Sequence, residues 1–150
     1  MKLAEALLLR GEYQTKVDNL QSRILQNLKI QEGDIPNEEP KVLLTEAFEL
    51  NEQLNELIKR VNERNNQVLL PDGRSLAQAL VDRETLVKKR RLLVTITEAG
   101  SEQEYRYSRS EIKFQLTLSL GEIHKQIDQL SRQFRELDTI IQGLNWSVDL

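Results

Sequence analysis

The residues best suited to chemistry are charged and amide side chains set into otherwise apolar stripes. Leu76, Leu80, Arg83, Val87, Arg90 and Val94 recur at alternating steps of four and three, so arginine occupies two positions of one helical face. A guanidinium in such a place must carry its head out to water or find a carboxylate or amide. Asn51, Asn55, Asn62 and Asn65, with Ile58 among them, keep the same rhythm one residue round from a leucine seam. Each amide can both donate and accept. Asp138, Gln142 and Asn145 flank a third seam. Three arrangements satisfy this pattern. Arg83 and Arg90 could hold a small anionic ligand in an inter-helix pocket shared with Asn62, Asn65, Asp138, Gln142 and Asn145. The same side chains could instead form a polar network that fixes helix register, with Asp138 or Asn62 answering Arg83. Or the two arginines could simply snorkel. Charged groups in helical cores are more often structural than catalytic, which favours the network.

Other chemistries lack their residues. A di-metal carboxylate bundle needs Glu-x-x-His pairs on facing helices, and the chain has one histidine, His124. Glu122 and His124 are two apart and do not share a helical face. There is no cysteine, so thiolate metal sites, disulfides and thiol catalysis are excluded. No P-loop, dinucleotide fingerprint or nucleophile elbow occurs. The expectation is a protein with no catalytic residue, no metal and no cofactor. A net charge of -3 argues against general nucleic-acid binding. The four-residue basic run Lys88–Arg91 reads as a solvated helix face.

Long helices must position these groups. Aromatic residues are only 5% of the chain, so leucine, isoleucine and valine must supply the core. The first helix is expected from Lys2 to about Gln31, on a stripe of Leu3, Leu7, Val17, Leu20, Ile24 and Leu28. The segment QEGDIPNEEP then reads as an acidic surface linker rather than a metal site. A second helix is expected from about Lys41 to Asn66 on the seam Leu43, Ala47, Leu50, Leu54, Leu57 and Val61. Pro71-Asp72-Gly73 marks a turn, and Ser75 an N-cap for a third helix reaching about Glu98, with Gly100 as its end. Alternation at Phe114, Leu116 and Leu118 suggests a short extended or β segment near 112–118. Ser119 and Glu122 form a capping box ahead of Leu120, Ile123, Ile127, Leu130, Phe134, Leu137, Ile141 and Leu144.

The fold expected is an all-α antiparallel bundle of about four long helices in one domain, 1–150. Heptad faces can also bury against another chain, so a homo-oligomer is expected through them. No apolar run approaches a membrane span, and Ala6–Leu9 is too short for a signal peptide. A cytoplasmic location, with neither membrane nor nucleic-acid partner, is the expectation.

The stretch Phe134-Arg135-Glu136-Leu137-Asp138, with Ile141-Gln142, Asn145-Trp146 and Asp149-Leu150 after it, resembles the end of a family of small bacterial proteins called septicolysin-like. Arg60–Asn65, Asp72–Leu76 and Ser110–Lys113 are similar to other segments of that family, so the resemblance covers nearly the whole chain. The family name implies a cytolysin. A bilayer-spanning strand needs about nine to eleven residues, and only Phe114–Leu120 alternates suitably. The residues themselves therefore favour a non-enzymatic, self-associating helical scaffold, with the anion-binding bundle as the alternative and lysis behind both.

Overall fold

A computed structural model describes residues 1–102 and 113–150. It contains four helices: α1 (Leu3–Gln26), α2 (Pro40–Gln67), α3 (Leu76–Ser101) and α4 (Leu120–Ser147). No strand occurs among the described residues, so the protein is all-α. The chain divides into two compact units, Met1–Leu69 with Gln142–Leu150, and Leu70–Ile141.

In the first unit α1 and α2 form an antiparallel hairpin. Leu20, Leu43 and Ala47 are buried together, with Ile24 and Leu50 packed beside them. Leu54, Leu57 and Val61 continue the buried side of α2, which is the leucine seam read from the sequence. Each such side chain contributes about 1.5–3 kcal/mol when fully buried. Pro40 occupies the first turn of α2, where a missing N–H costs nothing, and the Glu39 side chain accepts from Lys41 N.

α1 ends five residues before the expected Gln31. Asn27 stops it: its Nδ2 donates to Arg23 O at 2.8 Å, and its Oδ1 accepts from Glu38 N at 3.1 Å. The Arg23 guanidinium then pairs with the Glu38 carboxylate, with Nε 2.9 Å from Oε2. The linker is thereby folded back on the helix end, and Leu28 is exposed rather than part of the core stripe.

The two ends of the chain clasp each other. Leu3 N donates to Val148 O and Leu150 N to Met1 O, each at 2.9 Å, around an antiparallel bridge of Lys2 with Asp149. Lys2 Nζ lies 3.0 Å from the Asp149 carboxylate, and Arg64 Nε donates to Asp149 O at 2.7 Å. Glu5 caps α1 by accepting from Lys2 N at 2.6 Å.

The second unit opens with a tight turn in which Gly73 has φ +88° and Leu70 N donates to Arg74 O at 2.8 Å. Ser75 and Gln78 then make a reciprocal capping box, the start expected for α3. α3 continues through Gly100 to Ser101 instead of stopping near Glu98. Gly100 serves packing: a Cβ there would stand 3.0 Å from Leu120 Cδ2. Ser119 Oγ accepts from Glu122 N at 3.3 Å to start α4, whose Ile123, Ile127, Leu137 and Ile141 are buried. Lys113–Leu118 enters no strand pairing, which corrects the β alternative for those residues. Residue 112 lies outside the described residues.

Candidate functional site

Within the second unit α3 and α4 run antiparallel, and two polar contacts cross between them. Arg83 Nη1 lies 2.6 Å from Asp138 Oδ1, with the side chains 28% and 33% exposed. Arg90 Nε donates to Ser131 Oγ at 2.9 Å. Arg90 is seven residues beyond Arg83, and Ser131 seven before Asp138, so the second crossing repeats the first one heptad along. Its acceptor is a hydroxyl where the first has a carboxylate.

The residues expected to act together separate into two sets. Arg83, Arg90 and Asp138 belong to the second unit, and Arg83 meets Asp138 directly. Asn62, Asn65, Gln142 and Asn145 belong to the first. Asn62 and Gln142 are exposed, Asn65 is half-buried, and Asn145 is buried at 6% exposure. Of the flanking amides on α2, Asn51 turns inward to its own helix, donating to Ala47 O at 2.9 Å. That local bond is the usual outcome for an amide on a helix surface. His124 is exposed. Among the described residues no group of three or more His, Asp or Glu side chains is placed to hold a metal ion. No described helix is long and apolar enough to cross a membrane.

The Arg90 crossing opens onto a groove of about 630 Å³ between α3 and α4. Leu86, Val94, Leu130 and Phe134 are half-buried along its floor. Arg90, Arg91 and Arg135 are exposed around it, with Glu98 as the acidic lining residue. The volume lies within the range of about 300–1,000 Å³ typical of small-molecule sites. Sequence reasoning named Arg90 but missed Ser131, Phe134 and Arg135. A signal existed, because pairing Arg83 with Asp138 in an antiparallel register places Ser131 opposite Arg90.

These features can be set beside known proteins. The family model described as "Family of unknown function (DUF6847)" matches residues 10–150. The chain belongs to the DUF6847 family. It is also similar to a solved structure, described as a functionally unknown conserved protein from Corynebacterium diphtheriae. The two chains are 41% identical, with a TM-score of 0.92 over 100% of this chain and 98% of that one. At that identity over the full length, the two chains share one fold. No curated protein matches the chain.

Proposed function

We propose that this DUF6847 protein is a non-enzymatic helical interaction protein of the cytoplasm that associates with a second copy of itself. The observation that carries the proposal is the concentration of exposed apolar side chains at the turn end of the α1–α2 hairpin. Leu25, Leu28, Ile35, Val42, Leu44 and Phe48 are all exposed there, Phe48 at 64% and Ile35 at 86%. Apolar groups scattered singly over a surface need no explanation, but a concentration of this kind at one end favours an interface. The heptad seams of α2 and α4 are largely spent inside the chain, and this end together with the face one residue round from the α2 seam offers a surface for another copy. Leu44 and Phe48 begin that face, and Asn51, Asn55, Ile58, Asn62 and Asn65 continue it at steps of three and four. Two hairpins meeting along such faces would make a four-helix arrangement in which the amides select register.

Sedimentation at micromolar concentration is the test. A dimer is expected, and Phe48→Glu should return it to monomer with its helical content intact. A clean monomer for the unmodified chain would refute the proposal. Release of dye from liposomes by the purified protein would replace it with the lytic activity implied by the septicolysin resemblance.

A further inference from the structure

The Arg83 and Arg90 crossings occupy equivalent positions one heptad apart but differ in donor atom, Nη1 against Nε, and in electrostatics. At the first, a carboxylate on α4 neutralises the guanidinium on α3. At the second, Ser131 accepts one hydrogen bond from Arg90 Nε but supplies no charge. Among the described residues the remaining Arg90 nitrogens make no hydrogen bond, and Arg91 and Arg135 make no ion pair. Neighbouring arginines are compensated: Arg132 by Glu136 at 3.1 Å, and Arg74 by Asp72 and Asp82 at 2.7 Å each. Three arginines against one glutamate thus leave positive charge uncancelled around the groove. Guanidinium groups crowded together repel one another, and a bound anion relieves that repulsion while taking paired N–H donors.

We propose that the α3–α4 groove binds a small amphipathic carboxylate, whose carboxyl group meets Arg90 as Asp138 meets Arg83. The Asp138 carboxylate is the precedent for the head group, held one heptad away by the same residue type in the same register. Arg91 and Arg135 raise the local potential that draws the anion in. The apolar body, acyl or aryl, lies along Leu86, Val94, Leu130 and Phe134, where half-buried side chains gain cover from water. Ser131 holds Arg90 in place through Nε and leaves its terminal nitrogens for the ligand.

Titration with decanoate and with 2-naphthoate tests the assignment, with decanol and 2-naphthol as neutral controls, followed by calorimetry and amide chemical shifts. Saturable binding is expected for at least one carboxylate, with shifts concentrated at residues 86–98 and 130–135. The carboxylate that binds tighter identifies the body as acyl or aryl. Arg90→Gln should weaken binding by roughly ten- to a hundredfold, the cost of losing a charge-assisted hydrogen bond. Ser131→Asp gives Arg90 a carboxylate partner within the chain, like that of Arg83, and should abolish binding while leaving the melting temperature unchanged or raised. A neutral alcohol binding as tightly as its carboxylate would overturn the proposal. So would a Ser131→Asp protein that binds like the unmodified chain, or the failure of both carboxylates to saturate.

Discussion

Arg83 on α3 and Asp138 on α4 share a 2.6 Å contact although each keeps about a third of its side chain in water. This partial exposure sets the size of what the pair can contribute. Exposed pairs contribute about 0.2–1 kcal/mol, and deeply buried ones leave several kcal/mol of penalty when halved. Arg83→Met and Asp138→Asn should each destabilise, and the double variant should lose less than the sum. A coupling energy of about 1 kcal/mol is expected from urea denaturation of the four proteins. A coupling near zero would mean that the contact does not hold the two helices in register.

Gly100 on α3 lies close against Leu120 on α4, and a Cβ added to it would stand 3.0 Å from Leu120 Cδ2. Two effects oppose each other when a side chain is added. Alanine favours a helix over glycine by about 1 kcal/mol, while the half-buried Leu120 must shift by a few tenths of an ångström. Gly100→Ala should therefore stay within about 1 kcal/mol of the unmodified protein. Gly100→Val adds bulk that Leu120 cannot clear and should cost about 1–3 kcal/mol. Leu120→Ala in the same chain should recover part of that loss in thermal denaturation.

Acid should loosen the clasp between the chain ends. Its hydrogen bond and charge interaction with Lys2 hold the Asp149 carboxyl below the ordinary carboxylate range. Arg74 does the same to Asp72, and Arg23 to Glu38. A carboxyl whose folded value is depressed stabilises fully above its unfolded value and loses that contribution as pH falls through the folded one. The melting temperature should thus stay level above roughly pH 5 and drop on further acidification. Asp149→Asn should begin lower at neutral pH and fall less steeply. Identical acid profiles for the two proteins would show that Lys2–Asp149 contributes nothing measurable.

Local chemistry made much of this fold legible. Ser75 precedes its helix with a hydroxyl and a glutamine three residues on, and it caps α3. The α4 seam repeats for more than three heptads, and position alone made Asp138 one of two candidate partners for Arg83, which it meets. Asn27 was illegible for the opposite reason: its power to end α1 depends on Glu38, eleven residues away across the linker. The groove was hidden because Ser131 carries no charge, and a serine on a helix attracts no notice until its register partner is known. Periodicity also could not say whether a seam would be covered from within the chain or by another copy. Leu54 and Ile127 look alike in either case, and both are covered from within.

The clasp of Leu3 with Val148 has a consequence for the order of events during synthesis. Residues at the start of α1 leave the ribosome well before Val148, the acceptor for Leu3 N. The first helix must wait, its opening amides hydrated, until Val148 has been released. Closing so long a loop is an entropic cost that local helix pairing does not share, so it should come after the α1–α2 hairpin has formed. A nascent chain stalled short of position 148 would therefore hold a paired hairpin whose first turn is still frayed.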